Sequence, residues 1–292
     1  MQGVITKYFN YVGASEEITR FFINAFIKLT SAPENEKELL DILSVYEKDY
    51  NCSFSNLDKK MDALCEKVGI SPYTGNALKY ILMIPSFKRH SDALGYPHSV
   101  LSDTVKDVYY HVINCKLVKG VYGSFTNWHS YLWSFKVFGV GRLQVWPMTA
   151  DFDYESESLK IKKGQTILDL HIPRTETPLD RQSVDKSLAL CTQLFKDKLA
   201  GAPIVFRCSS WLLFNKNFSI LKPGSNILDF ISRFTILENK TYDDYSELWR
   251  LFDAEYKGEI ADLKADSSLR RAYIKMIENG EKIGYGTGYF NY

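Results

Sequence analysis

Apolar residues between Ser15 and Leu29 fall at Ile18, Phe21, Phe22, Ala25, Phe26 and Leu29, the i, i+3, i+4, i+7 spacing of one helical face. Ser15 precedes the run as an N-cap, and Glu16 and Glu17 place negative charge at the positive end of the helix dipole. The segment 56–68 repeats the pattern through Leu57, Met61, Leu64 and Cys65 and stops at Gly69, a residue suited to the left-handed position after a helix. Gly95 and Gly120 similarly end helices over 75–94 and 99–118, with Pro85 expected to kink or split the first. The first part of the chain therefore reads as all-helical.

After it the period changes. The spans 131–140 and 142–152 are rich in aromatic and β-branched residues and flank a Gly139–Gly141 turn, which predicts a hairpin. Pro147 puts its second strand at an edge or a bulge, since proline cannot donate to a ladder. Thr166–Ile172 predicts a further strand. Thr177-Pro178-Leu179-Asp180 combines a capping hydroxyl, a proline at the first helical position and a carboxylate three residues on, predicting a helix whose face carries Val184, Leu188, Cys191 and Phe195. A strand over 203–210, a short helix over 227–231, a strand over 233–238, a helix over 267–278 and a closing strand over 282–290 complete the pattern. Every tryptophan lies at or after Trp128, and 12 of the 17 glycines follow Val118. That shift sets the expected boundary near Lys119–Thr126 and gives an α+β protein of two domains, 1–122 and 123–292.

Composition narrows the function classes. Lys and Arg number 36 against 35 Asp and Glu, so no overall field favours nucleic acid or an anionic membrane. No apolar run approaches the roughly 20 residues that span a bilayer. The Phe21–Ile23 run is broken as a secretion signal by Glu16, Glu17 and Asn24, so a cytoplasmic location is expected. Five widely spaced cysteines read as reduced thiols rather than a disulfide framework. The five histidines contain no HxxxH or HxH pair, so any metal site would have to gather its ligands from distant segments, and none is expected.

The most informative stretch is Asp169-Leu170-His171-Ile172-Pro173. Alternation along a strand puts Asp169 and His171 on one face and Leu168, Leu170 and Ile172 on the other. A carboxylate beside an imidazole can orient a general base near neutral pH, whereas the plainer reading has both facing solvent. Arg174 and Arg181 flank the following helix start, whose free N–H groups favour anions, but Glu176 and Asp180 lie there too. Further on, Arg207 and Ser209 share a face, with Cys208 opposite them as a packing residue or, less simply, a nucleophile. The Gly284–Tyr289 run has no helix after it and so fails as a dinucleotide loop. Its alternate glycines suit close backbone approach, leaving Tyr285 and Tyr289 as candidate hydroxyls.

Four strings, Gly141-Arg142-Leu143-Gln144, Asp169-Leu170-His171-Ile172-Pro173, Cys208-Ser209-Ser210-Trp211-Leu212-Leu213 and Ser225-Asn226-Ile227-Leu228, resemble a family of bacterial acyltransferase-domain proteins. In that family an N-terminal helical domain precedes a domain similar to the GNAT superfamily of acyl-CoA-dependent N-acyltransferases. The resemblance implies a GNAT-like mixed sheet flanked by helices, in which the strands beginning at Thr166 and Ile204 splay to admit an acyl thioester. It implies acetyl-CoA or another acyl-CoA as co-substrate, held by Leu170, Ile172 and Pro173 along the pantetheine and by Arg174, Arg181 and Ser209 around it, with the Pro178 helix facing the pyrophosphate. It further implies transfer, acetyl being the expected group, to a small-molecule or peptide amine. His171 is then the expected base, Asp169 its orienting partner, and Tyr285 or Tyr289 the acid that protonates the thiolate. The usual phosphate-loop glycines are absent from Arg174–Ser183. That departure favours the rival expectation, a non-catalytic protein binding a glycan or peptide on the same sheet.

Overall fold

The computed structural model describes residues 1–199 and 203–292, and the chain divides into two compact units, Met1–Gly139 and Val140–Tyr292. The first holds seven helices: α1 (Gln2–Tyr11), α2 (Glu16–Leu29), α3 (Pro33–Lys48), α4 (Phe54–Lys67), α5 (Pro72–Ala93), α6 (His98–Lys119) and α7 (Trp128–Trp133). Ser15 caps α2 by accepting from the Ile18 N–H, and Gly69 and Gly120 take the left-handed conformation after α4 and α6. Seven residues in a row on α5, Ala77 to Met83, are buried, so this helix is enclosed on all sides, as expected for the centre of a bundle. Of the kink or split expected at Pro85, the split does not occur: α5 runs unbroken past it. Within it Lys79 is fully buried, paired to Asp58 and donating to Asn76 Oδ1 at 2.9 Å. Burial pulls the Lys79 ammonium below its ordinary pKa and Asp58 opposes that pull.

The expected strand over 131–140 is corrected in its first part. Trp128–Trp133 is helical, Trp133 is fully buried with its ring 4.9 Å from Phe87 and 5.2 Å from Tyr80, and its carbonyl accepts from the Tyr46 hydroxyl at 2.9 Å. These aromatic residues satisfy the helical core rather than a pleated surface. Only β1 (Phe138–Val140) remains of that strand. A Cβ on Gly139 would lie 2.6 Å from the Asp103–Thr104 backbone, so glycine there permits the close approach to α6.

The second unit contains β2 (Leu143–Thr149), the small β3 (Tyr154–Glu155) and β4 (Lys160–Ile161), β5 (Thr166–His171), α8 (Arg181–Leu194), β6 (Val205–Ser210), α9 (Asn217–Ile220), α10 (Asn226–Ile231), β7 (Thr235–Thr241), α11 (Trp249–Phe252), α12 (Ser268–Glu278) and β8 (Gly284–Asn291). The sheet order is β1-β2-β5-β6-β8-β7, with β5 and β6 the parallel pair, β2–β5, β6–β8 and β7–β8 antiparallel, and β3–β4 a separate two-stranded pair. Pro147 sits in regular register with Leu168 and makes no bulge with β5. β1, only three residues long, leaves the far end of β2 as an edge, where a missing donor costs nothing.

The glycines of β8 do what their spacing suggested. A Cβ on Gly286 would overlap the Leu213 carbonyl, and one on Gly288 would come within 2.7 Å of the Phe234 side chain. Alanine at 286 is therefore expected to lower the stability of this unit by about 1–3 kcal/mol through overpacking, read as a drop in urea midpoint at unchanged m-value. An unshifted midpoint would show that the 211–213 turn yields at no cost.

Candidate active site

The register of four ladders places one row of side chains across the sheet: Trp146 opposite Asp169, Asp169 opposite Arg207, Arg207 opposite Tyr289, and Tyr289 opposite Thr235. Directly paired residues project to the same face, so this face is polar at its middle. Below the row, Ile167 and Val205 cluster with Ala150, Leu159, Ile161 and Tyr289 in an apolar base. Above it the pairing of β5 with β6 ends. The ladder covers Leu168–Phe206, Asp169–Arg207 and Leu170–Cys208 only, whereas β5 continues against β2 to His171–Gln144 and β6 continues against β8 to Ser210–Gly286. Two neighbouring strands thus each keep their outer partner and lose each other, a fork with His171 on one lip and Ser209 on the other.

Asp169 links the two sides of the row. Its Oδ1 lies 2.7 Å from Arg207 Nη1 and its Oδ2 lies 3.3 Å from His171 Nε2, with the carboxylate 4% exposed and the imidazole 26%. The expected placement of Asp169 and His171 on a common face is what the structure shows. The partner not foreseen is Arg207, although its shared face with Ser209 was legible from alternation. Burial works against the Arg207 charge, but Asp169 and the Tyr289 hydroxyl, which accepts from Arg207 Nε at 3.3 Å, hold its pKa above the ordinary value. On the far lip Ser209 Oγ and Thr287 Oγ1 are 2.9 Å apart, and Thr287 donates to Glu238 at 3.2 Å.

The remaining expected residues divide. Tyr289 is 7% exposed, level with the zipped part of the ladder and engaged by Arg207. Tyr285, beyond the last β6–β8 pair, faces Lys240 of β7 and has its ring 5.5 Å from Tyr242. Leu170 is fully buried on the opposite face. Ile172 and Pro173 follow β5 into the fork, where the Pro173 carbonyl accepts from Arg142 Nη1 at 2.9 Å. The expected helix start is corrected: α8 begins at Arg181, three residues after Pro178, because Asp180 is the N-cap and accepts from the Ser183 N–H at 2.8 Å. That hydrogen bond holds the Asp180 carboxyl below the usual carboxylate range. Arg174 is paired to Asp253, which also takes Arg270 Nη2 at 2.6 Å, and Arg181 is paired to Asp229. Cys208 lies away from this polar row: its side chain is on the apolar face, 1% exposed, and burial and then Asp169 push the thiol far up, which disfavours a nucleophilic thiolate.

A forked parallel pair inside a mixed sheet, with a helix following the first of its strands, defines the fold class. Two solved structures share it at 20% identity. One is an acyltransferase variant in complex with octanoyl-CoA, TM-score 0.72, covering 98% of this chain and 87% of that one. Another is an acyltransferase in complex with decanoyl-CoA and teicoplanin, TM-score 0.64, covering 98% of this chain and 99% of that one. No curated protein matches the chain. Residues 137–290 match the family described as a GNAT-like C-terminal domain, and the chain belongs to that family. Among the described residues no helix is long and apolar enough to cross a membrane.

Proposed function

We propose that the protein transfers an acyl group from an acyl-CoA to an amine, with both substrates bound together and the amine attacking the thioester directly. The observation that carries this reading is the fork above Leu170–Cys208, because strands that stop pairing leave backbone N–H and C=O groups for an extended substrate arm to occupy. The amine nitrogen forms a bond to the thioester carbon, the carbon–sulfur bond breaks, and coenzyme A leaves as the thiolate. With Asp169 Oδ2 3.3 Å from Nε2 orienting the ring, His171 takes the amine proton on Nδ1. Backbone N–H groups near Ile172 stabilise the developing oxyanion, a contribution worth about 3–4 kcal/mol per well-placed donor. Tyr285, at the open end of the sheet, returns a proton to the thiolate. Tyr289, held by Arg207, is the weaker candidate for that step. Acyl chains longer than acetyl suit the reading, since the solved structures similar in fold carry octanoyl and decanoyl thioesters.

A second reading, a non-catalytic binding protein for a glycan or peptide, is favoured by the surroundings of α8. Asp180 already fills the helix N-terminus with a carboxylate, and both Arg174 and Arg181 are matched by acidic partners. Thermal shift decides between them. A thioester at 100 times its dissociation constant adds about 2.7 kcal/mol, a rise in Tm of several degrees. Octanoyl- and decanoyl-CoA are expected to give that rise and acetyl-CoA a smaller one. No shift with any thioester would sustain the binding-protein reading instead.

A further inference from the structure

The helical unit contains a second cluster of chemistry. Asp107 and His111 are one turn apart on α6 and so leave the helix on the same side, and His129 stands in the first turn of α7. One ligand atom from each of the three lies within 4.8 Å of the others. Both imidazoles direct Nε2 at the same atom, Asp107 Oδ2, each at 3.4 Å. The cluster is enclosed: the side chains of His129, Asp107 and His111 are 0%, 3% and 18% exposed.

The other nitrogen of each ring is also engaged. His129 Nδ1 is 3.3 Å from Ser124 Oγ and His111 Nδ1 is 3.2 Å from Thr126 Oγ1. When Nδ1–H donates to such an oxygen, Nε2 is left with its lone pair, the arrangement that second-shell partners impose on metal-binding histidines. Two nitrogen lone pairs then converge on a carboxylate oxygen in an enclosed site, a donor set that suits a cation. The separation in each case is 3.4 Å. It matches the edge of a tetrahedron drawn around an ion with bonds of ~2.0–2.1 Å, which is roughly 3.3–3.4 Å.

We propose that Asp107, His111 and His129 bind one divalent transition-metal ion of the zinc type, which ties α6 to α7 across the Ser124–Thr126 loop. Two histidines and one carboxylate form a three-ligand set that leaves a further position for water on the more open His111 side. The expectation of no metal rested on the missing HxxxH pattern. Here a carboxylate takes one of the two positions on α6, as D-x-x-x-H, and another helix supplies the third ligand.

The test uses the whole protein, stripped with EDTA, dialysed and titrated with Zn²⁺ against a chromophoric chelator and, separately, with Co²⁺. One equivalent of Zn²⁺ is expected to bind with a submicromolar Kd and to raise Tm. Bound Co²⁺ should show ligand-field bands with no thiolate charge-transfer band. His129→Gln and His111→Gln are each expected to weaken Zn²⁺ binding at least 100-fold with an unchanged far-UV circular dichroism spectrum. Should His129→Gln fail to fold, the partly exposed His111→Gln and the Co²⁺ spectrum of the unsubstituted protein carry the test. Absence of a tight equivalent, a thiolate band, or unchanged affinity in a folded His111→Gln protein would each overturn the proposal.

Discussion

Substituting alanine for Asp169 is expected to destabilise the second unit by about 3–5 kcal/mol, the usual consequence of breaking a buried ion pair on one side only. The carboxylate is 4% exposed and faces Arg207 at 2.7 Å, while the guanidinium is 23% exposed and also donates to the Tyr289 hydroxyl at 3.3 Å. Without Asp169 the Arg207 cation stays in place without its counter-charge. Removing both charges in Asp169→Ala/Arg207→Met should recover most of the loss, because an apolar pair of similar volume needs no compensation. Chemical denaturation of the four proteins of this cycle gives the coupling directly. If the double variant is no more stable than Asp169→Ala, the pair is not the source of the effect, and loss of packing in the row Trp146–Asp169–Arg207 takes its place.

His171→Ala is expected to behave in the opposite way, sparing the fold and removing the chemistry. The ring is 26% exposed at the lip of the fork, so truncating it leaves no sealed cavity. Positioned general bases contribute about 10²–10⁴ in rate, and turnover of an acyl-CoA at neutral pH should fall by that factor with Tm little changed. Added imidazole should restore part of the rate, an outcome that damaged architecture would not produce. Turnover equal to that of the unsubstituted protein would remove the base role of His171 while leaving the thioester-binding reading to stand or fall on the thermal shifts.

Local periodicity made much of this legible. The Ser15 cap and the apolar stripe of α2, the Gly69 and Gly120 stops, and the Asp169/His171 face all follow from spacing within one element, and all appear in the structure. What depended on a distant partner did not come through. The aromatic run around Trp133 has the composition of a strand, yet Tyr46, Tyr80 and Phe87, far earlier in the chain, make it the edge of a helical core. The start of α8 moved to Arg181 because Asp180, rather than Thr177, caps the helix by accepting from the Ser183 N–H. Arg207 was placed on the right face, but only the parallel register of β5 with β6 sets it opposite Asp169. The Asp107, His111 and His129 cluster was hidden for the same reason, since two elements have to meet before it exists.

The position of β8 bears on how such a chain is made. It lies between β6 and β7 in space but emerges from the ribosome after both. Until it arrives, β6 and β7 each carry an open edge that β8 later fills, with unpaired N–H and C=O groups able to template wrong partners. Closure of this sheet is thus a late event in biosynthesis, and nascent chains halted before Gly284 are the ones that chaperones would have to hold.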